Sequence, residues 1–231
     1  MNFDGNFRKL GMADVRPIAR KVAKFSDEDW RAADFRQRRY EVHRDTCTIP
    51  LVFDEDFRHT HPTRLPALAE FEAELRPVLA GVAETYERSP GAERLVAQFG
   101  YGYFVRATLV RLEPGGSIPE HTDNNFSLVH SHRVHVPIVT NDEVRFRVGS
   151  EVRTLGVGEV TEINNRRMHE VTNGGTDARV HLILDFVLPG EKCCCGRKRH
   201  PDRLCSPAAC RPTDHLEIPC TCFPEHAVGA D

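Results

Sequence analysis

The spacing of apolar positions changes character near residue 103. Before it, the period is mostly helical. Val15, Ile18, Ala19, Val22 and Ala23 recur at three- and four-residue intervals with Arg and Lys between them, which predicts a helix over residues 12–25. Ser26 is a candidate N-cap for a second short helix opening at Asp27-Glu28-Asp29-Trp30. Trp30, the sole tryptophan, is expected to be a buried anchor. Thr46 to Phe53 reads as a strand. Leu68, Phe71, Leu75, Val78, Leu79, Val82 and Ala83 form one stripe on a helix predicted from Leu65 to Tyr86, stopped by Ser89-Pro90-Gly91. Such a stripe is core, and a helix of this kind typically backs a sheet.

From Tyr103 the period shortens to two. Strands are predicted at residues 104–112, 133–139, 144–148, 152–155, 158–163 and 179–188, with turns at Glu113-Pro114-Gly115-Gly116 and Gly149-Ser150. Short strands with turn signals about every 8–12 residues predict a sandwich or barrel, and a double-sheet jelly roll fits the strand count. The expected fold class is mainly β with flanking helices (α+β), the N-terminal helices packing outside a jelly-roll core. The expected organisation is an N-terminal helical and strand region over 1–102, a jelly-roll catalytic core over 103–190, and a Cys-rich tail over 191–231.

Composition narrows this little. With 231 residues, 40% apolar and 28% charged, the chain has the make-up of one globular domain with or without an appendage. A net charge of −3 offers no basic excess for nucleic acid. No run approaches the roughly 20 apolar residues that cross a bilayer. Residues 1–6 lack the basic flank and apolar run of a signal peptide, so a cytoplasmic location is expected. Oligomeric state is not encoded legibly. Cysteine placement changes the picture more. Cys47 stands alone, whereas Cys193, Cys194, Cys195, Cys205, Cys210, Cys220 and Cys222 crowd the last 41 residues together with His200, His215 and His226. This makes the tail a candidate zinc-binding segment, although its C-x₄-C and C-x-C spacings spell no standard zinc module; reduced thiols or a partner-docking segment are the alternatives.

The chemistry concentrates between Thr108 and Pro189. His121 and Asp123 are two residues apart, so on a strand both point to one face. His169 follows a turn at Asn164–Arg167 and is the best third partner. Two histidines and one carboxylate form the facial ligand set of a non-haem Fe(II) site with open positions for co-substrate and O₂. Arg179, ten residues further on, suits a dicarboxylate co-substrate such as 2-oxoglutarate, because a guanidinium grips a carboxylate through two parallel hydrogen bonds. His59 and His61 in the loop Arg58–Pro62 share the i, i+2 spacing without a third ligand nearby, and are expected in a surface loop at the mouth of the site.

Four blocks carry a resemblance. They are Leu112-Glu113-Pro114-Gly115-Gly116-Ser117-Ile118-Pro119-Glu120-His121, Arg133-Val134-His135-Val136-Pro137, His169-Glu170-Val171-Thr172-Asn173, and Arg179-Val180-His181-Leu182-Ile183-Leu184-Asp185-Phe186. As a set, over residues 104–189, they resemble the aspartyl/asparaginyl β-hydroxylase family, to which the free-proline hydroxylases also belong. The resemblance implies a double-stranded β-helix, Fe(II) on His121 and His169, and Arg179 on the distal carboxylate of 2-oxoglutarate. It implies that Arg133 and His135 help bind the co-substrate or order the pocket; otherwise they are ordinary strand residues facing solvent. Asp123 matches the proline-hydroxylase branch, whereas some animal enzymes have glycine there. Ser131 stands where the animal enzymes carry an arginine used on an acidic substrate. The expected reaction is hydroxylation of a C–H bond of an amino acid, free or in a peptide or protein, with release of succinate and CO₂. The alternatives are a non-catalytic metal- or ligand-binding scaffold or sensor, and an oxygenase acting on a lipid or other small metabolite. Asn124, Asn125, Thr161, Glu162, Asn164, Asn173 and His181 are expected in turns or outer hydrogen bonds, and Arg106 is a candidate contact for an acidic substrate group.

Overall fold

A computed structural model describes residues 5–31, 44–54, 62–123, 126–191, 199–200 and 203–204. The expected His59–His61 loop, Asn124, Asn125 and all seven C-terminal cysteines lie outside the described residues.

The chain enters through strand β1 (Phe7–Met12), where a helix had been expected to begin at Met12. Met12 pairs with Glu159 across a sheet, so long-range pairing overrides the local apolar period. The helix that follows, α1, is shorter, Arg16–Val22, with proline in its first turn. Helix α2 (Asp27–Arg31) opens on a reciprocal cap: Ser26 N–H donates to Asp29 Oδ2 at 2.8 Å, and Asp29 N–H donates to Ser26 Oγ at 3.2 Å. Strands β2 (Thr46–Phe53) and β3 (Thr63–Arg64) lead into helix α3 (Pro66–Glu87), which buries Leu68, Phe71, Leu75, Val78, Val82 and Tyr86 as its stripe requires. Helix α4 (Ala92–Phe99), not anticipated from the sequence, follows Gly91.

The β region comprises β4 (Tyr103–Leu112), β5 (Ser117–His121), a one-turn helix α5 (Phe126–Val129), β6 (His132–Val139), β7 (Val144–Val148), β8 (Glu151–Arg153), β9 (Glu159–Ile163), β10 (His169–Asn173) and β11 (Arg179–Val187). A further pair, β12 (Arg199–His200) and β13 (Arg203–Leu204), forms a small hairpin. The large sheet runs β1-β9-β6-β11-β4-β2-β3 and the small sheet β5-β10-β7-β8. The large sheet draws strands from both sides of residue 102. This is a jelly roll of the cupin kind, with the helices outside.

Two apolar layers hold it. Between the sheets lie Phe7, Leu112, Ile118, Val144, Phe146, Val148, Leu155, Ile163 and Val171. Behind the large sheet, Val134, Val136 and Ile138 of β6 and Val180, Leu182, Leu184 and Phe186 of β11 pack with the buried faces of α1 and α3. Each such side chain removed from water contributes roughly 1.5–3 kcal/mol. Alternation then sends Arg133 and His135 of β6, and Arg179, His181 and Asp185 of β11, to the opposite face, between the sheets. All five are buried. A strand whose polar half points inward is unusual, and it is what creates a polar interior here.

Candidate active site

The site is assembled by strand pairing. His121 ends β5, His169 begins β10, and the two are direct cross-strand partners. Neighbours in register on one face stand side by side, and the two rings lie 4.2 Å apart between centroids. Asp123 follows β5 by two residues, with its backbone N–H donated to the Asn165 carbonyl at 3.0 Å. His121 Nε2 is 4.0 Å from Asp123 Oδ1, and His169 Nε2 is 3.8 Å from Oδ2. One ligand atom from each residue lies within 4.8 Å of the others.

The tautomers suit a cation. His121 Nδ1 lies 2.7 Å from the Pro119 carbonyl oxygen, and His169 Nδ1 lies 2.9 Å from that of Arg167. A carbonyl only accepts, so each Nδ1 carries the proton and each Nε2 presents its lone pair toward Asp123. Burial, more than any other influence, holds the His169 pKa below its ordinary value, so the ring is neutral and able to ligate. Burial alone would raise the Asp123 pKa, but Arg133 and then the two histidines outweigh it and hold the carboxyl well below the usual range. The three side chains therefore fit a divalent metal.

Arg133 and His135 do not face solvent. Arg133 donates from Nε and Nη2 to the two oxygens of Asp185, at 2.8 and 2.9 Å, and from Nη1 to Asp123 Oδ2 at 2.6 Å. Its cation is committed to protein carboxylates. His135 is buried with its ring edge-on to Phe146 of the small sheet, 5.0 Å between centroids. Burial first, then the charges of Arg179 and Arg133, push its pKa well below 6.5. Its Nδ1 lies 3.4 Å from Nδ1 of His181, the residue that accepts from Arg179.

Arg179 is fully buried and lacks a counter-ion among the described residues. Its Nη2 donates to His181 Nδ1 at 2.6 Å, while Nε and Nη1 meet no partner. Since Nη2 carries two hydrogens, one two-donor edge of the guanidinium stays open. Burial alone lowers its pKa from 12.5 to about 9. A guanidinium can only donate, so His181 Nδ1 accepts and its proton sits on Nε2. Burial also holds His181 neutral. His181 was expected only among the outer hydrogen bonds, and Asp185 is a site residue that spacing did not single out. The signal for both is the alternation of β11, legible only once its polar face is known to be inside.

Other expectations fall elsewhere. Arg106 is paired with buried Asp54, which also accepts from Ser127. Glu162 lies on the helix side of the sheet, 2.7 Å from His132 and paired with Arg8. Asn173 ties the turn between β4 and β5, donating to the Glu113 carbonyl at 3.1 Å and the Asp177 carbonyl at 2.9 Å. Among the described residues no helix is long and apolar enough to cross a membrane.

A jelly roll that brings His121, Asp123 and His169 together beside a polar interior is a cupin-like fold with a group of side chains that could hold a metal ion. Comparison narrows the class: the aspartyl/asparaginyl β-hydroxylase family model matches residues 25–189, and the chain belongs to that family of hydroxylases. No curated protein matches it by sequence. Among solved structures it is similar to an oxidoreductase of the 2OG-Fe(II) oxygenase family from Burkholderia pseudomallei, at 15% identity over 69% of this chain and 70% of that one, with a TM-score of 0.47. It is also similar to a cupin domain from Bordetella pertussis, at 23% identity over 35% and 79% of the two chains, with a TM-score of 0.28.

Proposed function

We propose that the chain is an Fe(II)- and 2-oxoglutarate-dependent hydroxylase acting on a C–H bond of an amino acid, free or within a peptide. The observation that carries this reading is a metal-competent triad in the same polar interior as a buried guanidinium that has an open donor edge and no counter-ion among the described residues. In balance, substrate C–H, O₂ and 2-oxoglutarate give the alcohol, succinate and CO₂. Iron held by His121, Asp123 and His169 would supply the centre at which O₂ is activated.

The protein's own residues have separable roles. The two Nε2 lone pairs and the Asp123 carboxylate would bind the metal on one face. The open edge of Arg179 would receive the distal carboxylate of the co-substrate, with the His181 Nε2–H as a further donor. Neutral His135 and the surrounding Phe146 and Leu112 keep the interval between them dry, which strengthens each polar contact. Charge supports the pairing of ligands. Arg106 is paired with Asp54, and Arg133 with Asp123 and Asp185, whereas Arg179 has no counter-ion among the described residues. A dianion would supply one while also meeting the bound cation, so the two should bind synergistically. Ser131 offers no cation for an acidic substrate side chain.

Anaerobic addition of Fe(II) and then 2-oxoglutarate should give a visible charge-transfer band in wild type and none in His169→Ala. With the band in hand, amino acids and peptides are screened for a mass gain of one oxygen. Iron binding with no band would move the chain to the metal-binding scaffold reading. We also propose zinc on the C-terminal cysteines; loss of one bound zinc on removing residues 192–231 supports it, and equal zinc content does not.

A further inference from the structure

We propose that Asp185 is a positioning residue for Asp123, acting through Arg133, and that Arg133 serves the metal ligand rather than the co-substrate. The inference rests on the metal reading of the triad.

The geometry is a buried relay across the large sheet. Asp185 of β11 is the cross-strand partner of Arg133 on β6 and of Arg106 on β4. Arg133 spends one complete fork on Asp185, through Nε at 2.8 Å and Nη2 at 2.9 Å. A guanidinium gripped on that edge cannot rotate, so Nη1 is aimed at one place. There it donates to Asp123 Oδ2 at 2.6 Å. Asp123 itself lies beyond the end of β5, where no ladder fixes it; Asn165 accepts its backbone N–H and also hydrogen-bonds its side chain. Arg133 adds the charged grip on Oδ2, and Asp185 fixes the direction of Arg133.

The chemical consequence concerns how the carboxylate meets a cation. With Oδ2 engaged by Arg133, Asp123 favours ligation through one oxygen, leaving more of the coordination sphere open. An ammonium at position 133 would keep the charge but lose the fork. An amide at 185 would loosen the grip on Arg133. A third ion pair, Arg106 with Asp54, lies on the far side of Asp185 and reaches Arg133 only through space. It serves as a control for long-range charge.

The test is anaerobic titration of the metal-free full chain with Co(II), whose d–d absorption reports coordination number, in wild type, Arg133→Lys, Asp185→Asn and Asp54→Asn. Outer partners of metal ligands typically contribute 10–100-fold in affinity. Arg133→Lys and Asp185→Asn should each lose roughly that much and change the shape or intensity of the spectrum, while Asp54→Asn stays within about threefold of wild type with an unaltered spectrum. At saturating metal, Arg133→Lys should leave the KM for 2-oxoglutarate near the wild-type value. Wild-type spectra and affinities in the lysine and asparagine variants would overturn the proposal. So would equal weakening in all three variants without spectral change, or a large rise in the KM for 2-oxoglutarate in Arg133→Lys. If Asp185→Asn fails to fold, Arg133→Lys carries the test alone. No Co(II) binding by the wild type would overturn the metal reading itself, a failure distinct from the others.

Discussion

Arg179→Met should make the ligand-free protein more stable and at the same time abolish its response to 2-oxoglutarate. The wild-type guanidinium is held charged in the interior with its pKa lowered from 12.5 to about 9. At 1.36 kcal/mol per pKa unit, that places the cost of the buried charge at about 5 kcal/mol as an upper figure. Methionine keeps the apolar stem and removes the charge. It also leaves His181 Nδ1 without its donor, which costs about 1–3 kcal/mol. The difference is a net gain of roughly 2–4 kcal/mol, or about 4–16 °C in melting temperature for a chain of this size. The sign with pH is fixed by linkage. Because the folded pKa lies below the unfolded one, the cost is full below pH 9 and is relieved as pH rises from there toward 12.5, so the advantage of the variant should shrink above pH 9. The assay is thermal unfolding of metal-loaded protein, using redox-inert Mn(II) or Zn(II), with and without 2-oxoglutarate. Wild type at 100 times Kd should gain about 2.7 kcal/mol, and the variant nothing. A ligand-free variant less stable than wild type would show that the guanidinium already has a balancing partner. Equal stabilisation of both proteins by 2-oxoglutarate would place the distal carboxylate elsewhere.

His169→Ala removes one of the two Nε2 donors and should lower Fe(II) affinity at least 100-fold, read by anaerobic titration, with loss of succinate formation; undiminished turnover would refute the assignment. Acid should weaken the fold early, because His135 and His181 resist protonation in the folded state while their unfolded counterparts take up protons below about pH 6.5. Stability is then full above pH 6.5 and falls below it by up to about 2.7 kcal/mol per pH unit, seen in urea unfolding at pH 7.5, 6.5 and 5.5; a flat profile there would contradict their buried, neutral state. Gly190→Ala should cost about 2 kcal/mol or more, because φ is +79° and a Cβ would lie 2.2 Å from the Phe99 ring, and an unchanged melting temperature would refute it.

Much of the architecture was legible where a segment's own pattern agreed with its final environment. Strand β2 and helix α3 fall within a residue of the expected bounds, because one face of α3 is apolar and β2 is rich in β-branched residues (Thr46, Thr48, Ile49 and Val52). Helix α1 came out shorter than its apolar period suggested, since Phe7–Met12 finds a strand partner more than 145 residues away. Helix α4 escaped notice because its buried face is small, with Ala92 alone fully buried. In the site, the triad could be named from spacing and from residue type. The role of Arg133 could not, since its two carboxylate partners lie 10 and 52 residues away.

By itself, the sequence determined the inventory: two histidines, an aspartate and an arginine of suitable chemistry on segments of strand period, with no basic excess and no long apolar span. It also determined that β11 has one apolar and one polar side, because alternation is a property of the extended chain. Only the tertiary structure decided which side is inside. Sandwiching β11 between helices on one face and the small sheet on the other buried both. That burial turns Arg179 from a surface cation into an uncompensated one and keeps His135 and His181 neutral. The pairing of β5 with β10 sets His121 beside His169, and the pairing of β6 with β11 binds Arg133 to Asp185. Register and burial depend on contacts between residues far apart in the chain, so local patterning could not supply them.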